Sequence, residues 1–315
     1  MLDLHYGALF EGIARTGTHR CTLFALIEGA ITETGLNLIW GTEISQVETS
    51  NAIHTLIDID SNRFGPFDLL LVCDGSSSAL REQIRPSYSH KQYPWGALWF
   101  IGKRSDAFLP NQLWQSVSST DKLCGFLPTG TDDDLLSLFW SIRMDKVDDW
   151  RATHLDAWTQ SVIELAPHAE EFLQQIRSHD DLSASAYHDD VMKKWHTDNV
   201  AILGDAAHAL SPQLGQGVNL ALVDASTLAQ CLREMELPQA LASYSRRRKS
   251  HLKFYQRATR WATPFFQSDY CLLGTARDLS FPLLNSVPLA RNQMTATMAG
   301  LKTGAFSMLS PNHFL

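Results

Sequence analysis

The stretch NVAILGDAAHALSPQLGQGVN, residues 199–219, passes from a short apolar run through a glycine-rich loop into a helix. The apolar run predicts a buried strand, and Gly204-Asp205 follows at its carboxyl end, where open α/β sheets bind ligands. The loop holds one proline and two closely spaced glycines, which let a backbone approach a flat ligand. A helix that begins near Gly217 would turn its free N–H groups and positive dipole end toward this loop.

A second strand–turn–helix pattern lies in FDLLLVCDGSSSALR, residues 67–81. Its apolar run has no polar face, which is typical of a strand covered on both sides. Asp74-Gly75 ends the strand as a turn, and a short helix follows. Together the two stretches predict an α/β fold whose parallel sheet carries a loop at the end of each strand.

The rest of the chain shows three further patterns. THRCTLFALIEGAITETG, residues 18–35, predicts a helix with Leu23, Leu26, Ile27 and Ala30 on one apolar face. Aromatic-rich strand candidates then fill the middle of the chain, which we interpret as an inserted mixed β-sheet domain. Prolines interrupt the last predicted helices. The predicted domains are 1–90 and 191–262 for the two parts of a ligand-binding α/β domain, 91–190 for a substrate domain, and 263–315 for a C-terminal helical segment.

Composition restricts the class of protein. The 315 residues carry a formal net charge of −8, and this acidic balance argues against nucleic acid as a partner. The five cysteines are scattered with no C-x-x-C pair, which is typical of free thiols in a reducing compartment. No apolar stretch is long enough to cross a bilayer, and no signal peptide is evident. We expect a cytoplasmic protein that acts on a small molecule, with a homodimer left open.

The order G-D-A-A-H, proline, G-Q-G-x-N and helix resembles the second FAD motif of the flavin-dependent aromatic hydroxylases. This family includes p-hydroxybenzoate hydroxylase and the ubiquinone-biosynthesis hydroxylases. The resemblance implies that Asp205 contacts the flavin ribitol and that the loop passes the isoalloxazine ring, while the helix start faces its pyrimidine edge. The implied FAD-binding residues of this stretch are Gly204, Asp205, Pro212, Gly215, Gln216, Gly217, Val218 and Asn219.

Two further matches follow the family's order. Asp74, Gly75, Ser78 and Arg81 are similar to its D-G motif, which lies near the cofactor pyrophosphates and supports NAD(P)H use. By the same resemblance Arg20, at a predicted helix start, would lie against FAD. A solvated arginine there fits the sequence equally well.

The family's opening G-x-G-x-x-G unit has no counterpart in this sequence. GALFEG, residues 7–12, lacks the middle glycine, and no predicted strand precedes it. We therefore expect a late gene-model start, a natural truncation or a fragment, and weak or absent FAD binding by the chain as it stands.

The resemblance implies an FAD-dependent monooxygenase. NAD(P)H would reduce the flavin, and a flavin C4a-hydroperoxide would hydroxylate an aromatic or other electron-rich molecule. The protein would supply positioning and a dry pocket, so no catalytic nucleophile is assigned. Two alternatives remain: a non-catalytic remnant that needs a partner, and a flavoprotein of the same fold with halogenase or epoxidase chemistry.

Other residues have plainer interpretations. Trp99, Phe126 and Trp140 are candidates for the substrate pocket, although most aromatic residues of this region are expected in the core. His208 has no second ligand at metal spacing, so we predict no metal site and a structural role near the ribitol. The basic run SRRRKS, residues 245–250, could be an anionic-lipid patch but is more typical of a solvated helix face.

Overall fold

A computed structural model describes residues 20–84, 88–110, 112–129 and 134–309. The segment 7–12, considered above for the glycine motif, lies outside these residues. The chain divides into two compact units, each built from separate stretches of sequence. Apart from the gaps at 85–87, 111 and 130–133, the described parts of the first unit are 20–38, 93–187 and 262–291, and those of the second are 39–92, 188–261 and 292–309.

The helices and strands are numbered in chain order. The helices are α1 (Arg20–Thr34), α2 (Ala79–Ile84), α3 (Val147–Arg151), α4 (Leu155–Leu165), α5 (Glu170–Leu173), α6 (Asp205–His208), α7 (Gly217–Glu234), α8 (Leu237–Phe266), α9 (Cys271–Ser286) and α10 (Pro288–Met298). The strands are β1 (Ile44–Ser50), β2 (Ile53–Asp58), β3 (Arg63–Phe67), β4 (Leu70–Val72), β5 (Tyr88–Lys103), β6 (Trp114–Ser118), β7 (Lys122–Pro128), β8 (Leu135–Arg143), β9 (Ser183–Met192), β10 (His196–Thr197) and β11 (Val200–Ile202).

The first unit is organised around a five-stranded sheet in the order β6-β7-β8-β5-β9. Strands β5, β7 and β8 pair antiparallel, and Trp140 of β8 lies opposite both Leu98 and Cys124. Its apolar side packs on α3, α4 and α5 through a core that includes Trp158 and Phe172. The aromatic-rich segments are therefore strands, as the sequence predicts.

The second unit holds the two motif stretches. Strand β11 pairs parallel with β4 and antiparallel with β10, while β1, β2 and β3 form a separate antiparallel meander. Asn51 and Ala52 both have positive φ, which suits the tight turn between β1 and β2. The core of this unit is built around fully buried side chains that include Trp195, Tyr244 and Tyr255.

Strand β4 corrects one expectation from the sequence. Leu70 and Val72 are buried, but Leu71 is 46% exposed, so the strand is not covered on both faces. Strand β11 is the partner of β4 within the described residues, and on its far side β4 is an edge. An apolar run alone does not reveal which elements cover the faces of a strand, and one face of β4 leaves Leu71 exposed.

Two helix faces also differ from prediction. Helix α1 forms as expected, but none of its residues is buried, and its apolar side chains Leu26 and Ile27 are exposed. The sequence of α7 predicts an apolar stripe of Val218, Leu222, Ala225, Leu228, Ala229 and Leu232. Of these Leu228 is buried, whereas Val218 and Leu222 are exposed. The buried residues of the helix are Leu220, Val223, Asp224, Thr227, Leu228 and Cys231. The buried face includes Asp224, which hydrophobicity alone does not select.

The C-terminal segment is helical, with α9 and α10 separated at Val287. Pro282 lies inside α9, whereas Pro288 begins α10, a position in which proline's missing N–H is tolerated. Among the described residues, no helix combines the length and the hydropathy needed to cross a membrane.

Candidate functional site

The parallel pairing of β4 and β11 brings the two sequence motifs to one edge of a sheet. Ile202 lies opposite Val72, and the N–H of Leu203 donates to the Val72 carbonyl at 3.0 Å. Asp74 therefore follows its strand by the same two residues as Gly204 follows the other. Ligands of open α/β sheets bind at this carboxyl edge.

The D-G motif forms a turn that starts α2. Gly75 has φ +87°, a conformation that favours glycine, and the Ser78 N–H donates to its carbonyl. The Ser78 hydroxyl accepts the Arg81 N–H at 3.0 Å and so caps the helix. Asp74 remains exposed at the mouth of the turn.

Arg81 does not face solvent. Its guanidinium group is 2% exposed, and it donates to Asp190 at 2.8 Å, to the Ala206 carbonyl at 2.9 Å and to the Ser76 carbonyl at 3.0 Å. In the structure Arg81 thus links the turn after β4 to the loop after β11, and its contact with a cofactor stays a prediction. Its contribution to a ligand site is to hold these loops in place.

The G-D motif places one carboxylate in the open. Gly204 adopts φ +59° and ψ −144°, a region essentially restricted to glycine. Asp205 is exposed between buried neighbours, and within the described residues its carboxylate has no hydrogen-bond partner. A Cβ built on Gly217 would lie 3.6 Å from Asp205 Oδ1, so this oxygen adjoins the start of α7.

A buried charge network underlies this arrangement. Asp224 of α7 is fully buried, and its Oδ2 accepts the Gly204 N–H at 3.0 Å and His208 Nε2 at 2.5 Å. Its Oδ1 accepts Arg248 Nε at 2.6 Å. Burial acts to raise the pKa of Asp224, but His208, Arg248 and the Gly204 N–H outweigh it and lower the pKa to about 2. The charged carboxylate therefore fixes the backbone immediately before Asp205.

The network continues through Arg248 to the C-terminal segment. Arg248 Nη1 donates to His251 Nδ1 at 2.5 Å, and His251 Nε2 donates to the Gly300 carbonyl at 2.8 Å. Burial, with the Arg248 charge, lowers the pKa of His251 to about 4. His251 is thus neutral, with its proton on Nε2.

The loop between α6 and α7 is held from beneath by Gln216. A short turn at Pro212–Leu214 ends at Gly215, which is left-handed with φ +60°. Gln216 is buried, and its amide donates to the Leu214 carbonyl at 3.0 Å and the Met298 carbonyl at 2.7 Å. Pro212 and Gly215 are exposed, so one side of the loop is open to solvent. The buried Gln216 holds the opposite side of the loop in place.

The start of α7 is left available to a ligand. Helix α7 has no side-chain N-cap and no acidic residue in its first turn. The Asn219 amide donates to Gln216 at 3.1 Å, while Val218 is exposed beside it. Free backbone N–H groups at a helix start favour a partial negative charge or a carbonyl oxygen.

These groups suit the central part of FAD. The Asp205 carboxylate can accept hydrogen bonds from a ribitol hydroxyl, and the N–H groups of α7 can donate to the carbonyl edge of a flavin ring. The left-handed Gly215 keeps the loop free of a Cβ at its turn. The described residues of this site therefore fit the group that the sequence resemblance implies.

The other residues predicted at a ligand belong to the first unit. Arg20 is the exposed first residue of α1 and belongs to the other unit. Phe126 is fully buried among Phe108, Trp114 and Phe172, which places it in the core of the first unit. Trp99 is half-buried, with its ring centroid 5.4 Å from that of Phe139.

Trp140 lies at the edge of an open groove in the first unit that Trp150 and Trp158 also line. Its ring meets Trp158 edge to face, with centroids 6.3 Å apart. Across the described residues no group of three or more His, Cys, Asp or Glu side chains is arranged to hold a metal ion. His208 has the structural role expected from sequence, since it is bound to Asp224.

The sequence interpretation missed the buried ion network. Asp224, Arg248, His251 and Asp190 were not assigned to the site, although each holds a part of it. One signal was available: an aspartate inside the apolar run LALVDAS, residues 220–226, is seldom buried unless it is paired.

The fold defines an α/β protein whose candidate ligand site lies at the carboxyl edge of a sheet. Residues 31–261 match the FAD-binding domain family, and the chain belongs to that family, the one of the flavin-dependent aromatic hydroxylases. A solved structure of HpxO from Klebsiella pneumoniae, in complex with FAD and uric acid, has the same fold. Its TM-score is 0.72 at 19% identity, over 90% of this chain and 72% of HpxO.

Two relatives show how far the similarity extends. A probable 2-heptyl-3-hydroxy-4(1H)-quinolone synthase, AqdB2, of Rhodococcus erythropolis is 26% identical over 76% of this chain and 61% of its own length. The FAD-dependent monooxygenase ausM of Penicillium brasilianum is 42% identical over 53 residues, which are 17% of this chain and 11% of ausM. The chain thus spans about three fifths of the length of the first relative and a smaller share of the second.

Asp224→Asn tests the ion network. The neutral amide leaves Arg248 buried without its carboxylate, so we expect the free energy of unfolding to fall by about 3 kcal/mol. Urea unfolding followed by circular dichroism measures the change. Asp60→Asn, at an exposed position of the same unit, should alter it by less than about 0.5 kcal/mol. Similar values for both variants would contradict the network's role.

The pKa of His251 predicts an acid-sensitive second unit. Its value in the folded chain lies below the unfolded value of about 6.5, so the unfolded state takes up a proton first as pH falls. The contribution is complete above about pH 6.5 and is lost toward pH 4, by about 2 to 3 kcal/mol. His251→Gln should flatten this part of the stability–pH curve, whereas replacing the exposed His154 should not. An unchanged slope in His251→Gln would contradict the assignment.

Proposed function

We propose that the chain supplies the flavin-facing part of an FAD-dependent monooxygenase. The observation that carries the proposal is the juxtaposition of the open Asp205 carboxylate with the uncapped start of α7. The Asp205 carboxylate accepts hydrogen bonds, as a contact to a ribitol hydroxyl requires. The N–H groups at the start of α7 donate them, as a contact to the adjoining flavin ring requires. Membership of the FAD-binding domain family supports the same ligand.

The reaction we propose is hydroxylation of an aromatic or other electron-rich small molecule. When bound, FAD supplies the redox chemistry that couples oxidation of NAD(P)H to the reduction of O2, with one oxygen atom entering the product and the other leaving as water. In this proposal Asp205 orients the cofactor through its ribitol, and α7 stabilises negative charge at the flavin's pyrimidine edge. We propose that Asp74, which is exposed at the same sheet edge, lies near the cofactor pyrophosphates.

Names of relatives support the substrate class. One relative is a probable quinolone synthase, and HpxO was crystallised with uric acid; both names refer to nitrogen-containing ring compounds. We propose a ring compound of similar size for this chain. The five cysteines are all free, which supports a reducing compartment such as the cytoplasm.

Asp205→Asn tests the flavin site directly. The change keeps the shape of the side chain and removes its charge, so FAD affinity should fall about tenfold or more if a charge-assisted hydrogen bond to the ribitol is lost. Quenching of FAD fluorescence during titration with the chain measures the affinity without requiring turnover.

The matched control is Asp198→Asn, an exposed aspartate before β11, at the opposite end of that strand from Gly204. Asp198 has φ +38°, which asparagine tolerates, and its variant should bind FAD as the unaltered chain does. The chain is expected to bind FAD weakly, and equal affinity of the Asp205→Asn variant and the unaltered chain would contradict the proposal. If FAD binds, NAD(P)H-dependent oxygen uptake with candidate ring compounds tests the reaction.

A further inference from the structure

A groove on the second unit gathers positive charge outside the flavin site. It has a volume of about 340 Å³ and lies between the segment that joins β9 to β10 and the middle of α8. Lys193 and Lys194 line one wall, and Arg246 and Lys249 line the other. All four side chains are exposed, so their charged ends can reach a ligand in the groove.

The basic run of α8 divides between three environments. Arg248 turns inward to the buried Asp224, at 2.6 Å. Arg247 pairs with Glu234 at 2.9 Å. Arg246 and Lys249, on either side of them, line the groove instead. The basic run is therefore more than a solvated helix face. Two of its arginines are paired with carboxylates, and the other two basic residues line the same groove.

The charges of the groove are not neutralised internally. No carboxylate lines it, and within the part of the chain that the structure describes none of Lys193, Lys194, Arg246 and Lys249 forms an ion pair. The whole chain has 34 acidic and 26 basic residues and is therefore acidic. The groove, in contrast, gathers four cationic side chains that form no ion pair among the described residues. Such a concentration attracts anions and raises their local concentration.

The groove also has polar hydrogen-bonding groups at its inner surface. Ser245 is 8% exposed, and its hydroxyl is bonded to His196 Nδ1 at 2.6 Å. Both residues line the groove. The bonded hydroxyl–imidazole pair adds polar groups beneath four cations, whose N–H groups can donate to the several oxygens of a phosphate group.

We propose that this groove binds the phosphate monoester group of a phosphorylated ligand. A dianionic phosphate would contact the lysines and Arg246 at the walls and the Ser245–His196 pair at the inner surface. The chemistry is shared by two sources: a small phosphorylated metabolite and a lipid with a phosphomonoester headgroup. The site is separate from the proposed flavin-binding residues and does not depend on the proposed function.

The test measures phosphate binding by the whole chain. One arm is isothermal titration calorimetry with inorganic phosphate in a low-salt buffer. The other is sedimentation with phosphatidylcholine vesicles, with and without phosphatidic acid. We expect saturable binding in at least one arm, weakened by added salt because the contacts are ionic and exposed. Binding in the first arm alone indicates a soluble ligand, and binding that requires phosphatidic acid indicates the lipid.

The decisive variant is Lys194→Gln/Lys249→Gln, which removes one charge from each wall. Its control, Lys253→Gln/Arg257→Gln, removes the same charge from exposed positions farther along α8 that do not line the groove. Binding should weaken about tenfold in the first variant and change little in the control. Circular dichroism verifies that both fold. An absence of binding in both arms, or equal loss in both variants, would overturn the proposal.

Discussion

The carboxylate of Asp224 joins three pieces of chain that are distant in sequence. It accepts the backbone N–H of Gly204, the ring of His208 and the guanidinium of Arg248. A fully buried charge is tolerated only when it is paired and hydrogen-bonded, so these bonds must form together or not at all. One of these bonds is made to Gly204, the residue before Asp205. The position of the Asp205 carboxylate, which we propose contacts the cofactor, therefore depends on the buried charge of Asp224.

A second buried pair performs the same task on the other side of the sheet edge. Arg81 and Asp190 join α2 to β9, and Arg81 also holds the Ala206 carbonyl beside Asp205. His90 Nδ1 contacts the same Asp190 at 2.5 Å. Buried ion pairs thus hold the loops that follow β4 and β11 in place, while the outer sides of these loops stay exposed. Asp74, Asp205 and the start of α7 are therefore available to a cofactor although the loops themselves are fixed.

Local sequence patterns predicted much of this architecture because they depend on neighbours in the chain. The strand of residues 200–202, the glycine turns at Gly75 and Gly204, and the start of α7 at Gly217 all follow from nearby residues. Burial depends on distant partners, which local patterns do not reveal. The sequence does not show that Arg81 is buried, because its partner Asp190 lies 109 residues away. Likewise, the apolar run of β4 could not show that Leu71 meets solvent, since coverage of a strand is decided by other elements.

We propose that residues 204–219 form the flavin-binding loop and helix start of this chain. Hydrogen–deuterium exchange of the chain, with and without saturating FAD and read by mass spectrometry, tests it most directly. FAD should slow exchange in peptides that cover 204–219, since ligand contacts close the exposed loop and occupy the N–H groups at the start of α7. Exchange there that is unchanged by FAD, or slowed only in the first unit, would contradict the account.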